Sequence, residues 1–113
     1  MHRVTTNRSG AVPVVVARGE LDAFAEPDLS AAFAELANEL QVVVDLEAVS
    51  FLDSTALGAV VRSVREVGER GGEALVVLPA TAARRIFEIT TLDRVLPTSP
   101  SRAQALEAFT REG

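Results

Sequence analysis

Apolar residues recur along this chain in two rhythms, short unbroken runs and a stagger of three to four residues. Their alternation predicts an α/β protein. Residues 2–6 predict a short first strand, ended by a turn over Asn7-Arg8-Ser9-Gly10. Residues 12–18 are rich in β-branched side chains and predict a second strand. Pro13 has no N–H to give a ladder, so it belongs at the start of that strand or on an edge. A helix follows, with Pro27 suited to its first position. Leu29, Ala32, Phe33, Leu36, Ala37 and Leu40 form its apolar face. Gln41-Val42-Val43-Val44-Asp45-Leu46 is the kind of run expected of a strand covered on both sides.

Residues 47–53 are expected as a loop anchored by Phe51 and Leu52, and a helix starts near Ser54. Leu57, Val60, Val61, Val64 and Val67 form the buried stripe of that helix, with Arg62, Arg65, Glu66 and Glu69 outward. Gly71-Gly72 supplies residues that tolerate left-handed angles and ends it. Residues 74–78 predict another strand, stopped by Pro79, and Thr81 is placed to cap a short helix holding Ile86 and Phe87. A last helix begins around residues 99–101, where Ser101 and Gln104 have capping-box spacing. Ala103, Leu106 and Phe109 are its expected core contacts. Two strands followed by alternating helices and strands predict a mixed sheet with helices packed on it. At 113 residues a single domain spanning 1–113 is expected.

Composition removes most catalytic chemistry. There is no cysteine, so disulfides and thiolate nucleophiles are excluded. All 11 basic residues are arginine, which leaves no lysine for a P-loop, a Schiff base or a Ser-Lys pair. His2, the one histidine, stands at the start of the chain and offers no credible triad base or metal site. The expectation is therefore a protein that is not an enzyme, with no catalytic residues, no metal and no cofactor. The net charge of −5 disfavours direct contact with nucleic acid or anionic membrane. No apolar stretch is long enough to span a bilayer, and the first residues lack a signal peptide's apolar run, so a cytoplasmic protein is expected.

Chemistry concentrates where the run at 41–46 leads to Asp53-Ser54-Thr55. A helix N-terminus has unpaired N–H groups and partial positive charge, which accommodate a phosphoryl group on Ser54. The same residues also suit a plain N-cap worth about 1 kcal/mol, and on spacing alone that is the simpler reading. An acid-based phosphoacceptor or hydrolase built from Asp22, Asp45 and Asp53 is a third reading, weakened by the missing lysine and by Asp45 lying in a buried run.

Gly19-Glu20-Leu21-Asp22, followed about thirty residues later by Phe51-Leu52-Asp53-Ser54-Thr55-Ala56-Leu57-Gly58, resembles the anti-sigma factor antagonists, single STAS-domain proteins of bacteria. The spacing to Gly71-Gly72 and to Arg84-Arg85-Ile86-Phe87 is similar as well, so the likeness covers nearly the whole chain. It implies a STAS-type mixed sheet of about four to five strands with about four helices. It also implies a partner, an anti-sigma factor that is also a serine kinase, whose capture releases a sigma factor. The kinase would inactivate the antagonist at Ser54, with Thr55 the less favoured acceptor, and a metal-dependent serine phosphatase would restore it. Asp22, Asp53, Ser54, Thr55 and Ala56 are the implied partner-binding residues. Ala56 departs from the glycine common in the family. A STAS subunit regulating a membrane lipid-transport complex, not necessarily phosphorylated, is the alternative implied by the same likeness. A phosphoserine adds about −1.5 to −2 charges. A loss of ~3 kcal/mol at the interface would weaken binding more than a hundredfold.

Overall fold

The computed structural model of the protein describes residues 1–112. Its β-branched runs assemble one sheet with strands in the order β1-β2-β3-β4-β5. These are β1 (His2–Ser9), β2 (Val12–Leu21), β3 (Gln41–Leu52), β4 (Glu73–Val77) and β5 (Thr98–Ser99). Between and after them come α1 (Glu26–Ala34), α2 (Ser54–Glu69), α3 (Arg84–Ile89), α4 (Leu92–Val95) and α5 (Arg102–Glu112). β1 runs antiparallel to β2, and every later pairing is parallel. The mixed α/β architecture expected from the sequence is present, with five strands and five helices among the described residues.

Side chains alternate across the strands into two separate cores. On one face Val15, Ala17, Val42, Val44, Leu46, Ala74 and Val76 meet α1, α2 and Phe87 of α3. On the other, Val12, Val14, Val16, Val43 and Val77 meet Ala105 and Phe109 of α5, with Leu75 and Leu106 packed against them. Pro13 sits second in β2, so the strand starts around the missing donor.

Several sequence expectations are corrected. Asn7, Arg8 and Ser9 are not a turn: they pair with Val14, Pro13 and Val12, and the reversal falls at Gly10, whose φ is +63°. Residues 47–52 are not a loop. β3 continues through them, its register with β2 ending at Leu21↔Leu52. Their inward residues are Val49 and Leu52, three apart, because the register slips near Val16/Arg18 and Gly19/Glu20. A bulged strand loses its two-residue period, so the sequence does not read as one. α1 ends at Ala34, earlier than its apolar spacing implies, and Ala37 and Leu40 are exposed. Val61 in the α2 stripe is only half-buried. In α5 the buried pair is Ala105 and Phe109, four apart, with Leu106 packed beside them and Ala103 exposed. Gly71 supplies the left-handed angle after α2, with φ +87°. Gly72 is needed for a different reason: a Cβ there would lie 2.4 Å from the Leu40 carbonyl oxygen.

Candidate functional site

Parallel strands delivered in register bring their following residues side by side. Leu21 and Leu52 are the last partners of β2 and β3, so Asp22 and Asp53 leave the sheet together. The Asp53 N–H donates to the Leu21 carbonyl at 3.0 Å, which holds the second exit against the first. Leu21 and Leu52 are both buried, so the exit point is anchored in the larger core.

Asp53 is the N-cap of α2, with extended backbone angles of φ −90° and ψ 176°. Its Oδ1 accepts the Ala56 N–H at 2.9 Å, and its carbonyl accepts the Leu57 N–H at 2.9 Å. The Asp53 carboxylate, not the Ser54 hydroxyl, therefore holds the cap, worth about 1 kcal/mol. Ser54 and Thr55 occupy the first two helical positions, and both are exposed. Neither hydroxyl makes a hydrogen bond among the described residues. Ala56 is fully buried, so its methyl group points inward and only its N–H takes part in the cap. Asp22 closes its own turn, its Oδ1 accepting the Phe24 N–H at 3.0 Å.

Two exposed aromatics stand two residues from the paired aspartates: Phe24, for which the sequence indicated no role, and Phe51, expected as a loop anchor. Phe24 is 84% exposed and Phe51 50%, in a chain with only five phenylalanines and no tyrosine or tryptophan. The available signal was an aromatic two residues from each aspartate, on a chain poor in aromatics. Phe51 is thus no anchor, whereas its neighbour Leu52 is buried. The segment after β4 is fastened to the same stretch of β3. The Thr81 hydroxyl donates to the Val49 carbonyl at 2.5 Å and accepts the Ala83 N–H at 3.2 Å. The Ala80 N–H reaches the Glu47 carbonyl at 3.0 Å. Thr81 therefore organises the turn before α3, although the residue at the N-cap position is Ala83.

Asp45 does not join Asp22 and Asp53. It lies on the opposite face of the sheet, where its Oδ2 accepts from Nε and an Nη of Arg102, each at 2.7 Å. The three-aspartate centre considered from the sequence is therefore not assembled. Among the described residues no group of three or more His, Asp or Glu is arranged to hold a metal ion, and no helix is long and apolar enough to cross a membrane. What the site presents is an exposed pair of hydroxyls at the start of a helix capped by Asp53, at the edge of the sheet where Asp22 also leaves it.

Residues 3–105 match the STAS domain family. The anti-sigma-B factor antagonist of Staphylococcus aureus is 32% identical over 76 residues, covering 66% of this chain and 70% of that protein. Among solved structures, an anti-sigma factor antagonist from Mycobacterium paratuberculosis superposes with a TM-score of 0.82 at 29% identity, covering 96% of this chain and 93% of that one. The Bacillus cell fate determinant SpoIIAA in its phosphorylated form shares the fold, with a TM-score of 0.72 at 20% identity over 95% of this chain and 99% of its own. With the family signature spanning the sheet and the capped helix alike, this chain belongs to the STAS-domain family of anti-sigma factor antagonists.

Proposed function

We propose that this protein, as a single domain in the cytoplasm, binds an anti-sigma factor that is also a serine kinase, and so frees a sigma factor. It is a binding protein, not a catalyst. The observation that carries the reading is Ser54 itself: an exposed hydroxyl, unbonded among the described residues, at the first position of a helix whose cap is already supplied by Asp53. Because the cap does not use Ser54, modification there leaves the helix's own hydrogen bonds in place. Phe24 and Phe51 support a protein partner, since aromatic side chains are enriched among the anchors of protein interfaces. Asp22, Asp53, Ser54 and Thr55 form the polar centre of that surface.

The switch is a phosphoryl transfer. The kinase moves the γ-phosphoryl group of ATP to the Ser54 oxygen, ADP leaves, and the hydroxyl proton passes to a base on the kinase. The new group brings about −1.5 to −2 charges next to Asp53 and Asp22, without moving the backbone. A partner surface fitted to a neutral hydroxyl then meets repulsion and a desolvation cost. A metal-dependent serine phosphatase reverses the change.

The test is phosphorylation by the cognate kinase with ATP and Mg²⁺, read by intact mass and peptide mapping. One phosphoryl group is expected on Ser54 and none in Ser54→Ala. Ser54→Ala should bind the kinase as the native protein does, and Ser54→Asp more weakly. Equal binding by both variants, with phosphate mapped to Thr55 or elsewhere, would reduce Ser54 to an ordinary helix residue. Capture of a transporter ATPase in place of a kinase would overturn the reading of the partner.

A further inference from the structure

The larger face of the sheet is covered by α1 and α2, whereas on the opposite face, among the described residues, α5 is the covering helix, lying against β3, β4 and β5 and the first half of β2. Val12, Val14 and Val16 of β2 are buried against α5, but Arg3 and Asn7 of β1 and Arg18 near the end of β2 stay exposed. A groove of about 320 Å³ lies there, lined by Arg3, Thr5 and Asn7 of β1, Val16 and Arg18 of β2, and Arg102 at the start of α5. This is a concentration of positive charge on a chain of net charge −5.

Arg3 and Arg18 are direct cross-strand partners. Like charges set opposite one another on antiparallel strands destabilise the pair. Neither guanidinium has a hydrogen bond or ion pair among the described residues. The carboxylate of Glu20, two residues from Arg18, is taken by the amino group of Met1 at 2.8 Å. Arg102 differs, because it is held in place. Buried Asp45 binds it through Nε and one Nη, and the rest of its five donors stay unused by that bond. The groove therefore has two unneutralised guanidiniums and a third fixed on a buried carboxylate, with a hydroxyl and an amide alongside.

This set is rich in donors and contains no aromatic ring on which a base could stack. We infer that the groove binds a small soluble phosphate-bearing anion, of the size and charge of a phosphate monoester or a diphosphate. Bidentate guanidinium–phosphate pairing suits such a ligand, and its charge cancels the Arg3/Arg18 repulsion. The site lies on the sheet face opposite the core that anchors Ser54, and its existence does not depend on the partner-binding reading.

Inorganic pyrophosphate is the probe, titrated calorimetrically into the whole chain at 150 mM NaCl. One saturable site is expected, weakened at least tenfold by Arg18→Gln and further by adding Arg3→Gln. The control Arg84→Gln/Arg85→Gln, which removes an exposed arginine pair elsewhere, should leave affinity unchanged. Without ligand, Arg18→Gln should melt no lower than the native protein at low salt, because it relieves repulsion. The proposal is overturned if no saturable binding is seen, if the Arg3/Arg18 double variant binds as well as the native chain, or if Arg18→Gln alone lowers the melting temperature. Binding of an acidic peptide to the groove with none of pyrophosphate would also overturn it, in favour of a protein ligand.

Discussion

The two faces of the sheet are built from alternate residues of the same strands, yet they differ in what they hold. One face is sealed by α1 and α2 with help from α3 and α4, and Leu21, Leu52, Ala56 and Leu57 root the candidate site in that core. The other, among the described residues, carries a single helix over five buried strand residues, a charged bond between Asp45 and Arg102, and an open groove beside it. The exposed hydroxyls of Ser54 and Thr55 hang from the sealed face. The loosely covered face has room for charge. Packing density thus separates the part of the molecule that positions from the part left accessible.

The strongest way to break this contrast is to make the same truncation on both faces. Phe87→Ala, in the sealed core, should cost about 3–5 kcal/mol in urea denaturation. Phe109→Ala should cost less, about 2 kcal/mol, because α5 packs on one small cluster and can loosen locally. Equal losses would mean that the two faces fold as one unit. Next in size is Arg102→Gln, which leaves Asp45 buried without its cation. Arg102 is 42% exposed and solvent screens the pair, so about 1–2 kcal/mol is expected rather than the larger cost of a fully buried pair. Asp53→Ala removes the cap of α2 and should cost about 1 kcal/mol, measured by thermal or urea unfolding. Smallest is Ser54→Ala, expected within about 0.5 kcal/mol of native stability, since the residue is exposed and makes no hydrogen bond among the described residues. A larger loss at Ser54 would mean that its hydroxyl serves the fold.

Much of the site was legible. The Asp53-Ser54-Thr55 block read as a helix start because a cap is local chemistry: an acceptor followed three residues later by a backbone donor. The same locality made Ser101 and Gln104 readable, and the Gln104 N–H does donate to the Ser101 hydroxyl at 3.1 Å. The stripe through Leu57, Val60, Val64 and Val67 was readable because the helical period is regular along α2. The exposure of Phe24 and Phe51 was not, since hydrophobicity alone does not say whether a ring finds a neighbour.

By itself the sequence determined whatever depends on neighbours within a few residues: the runs that become strands and the capped start of α2. Only the tertiary structure decided that residues 47–52 are strand, because their hydrogen bonds come from β2, some thirty residues away. It also decided that Asp22 stands beside Asp53 while Asp45 faces the other way. Those outcomes depend on register and on which face of a bulged strand turns inward, and register is set by pairing between distant segments.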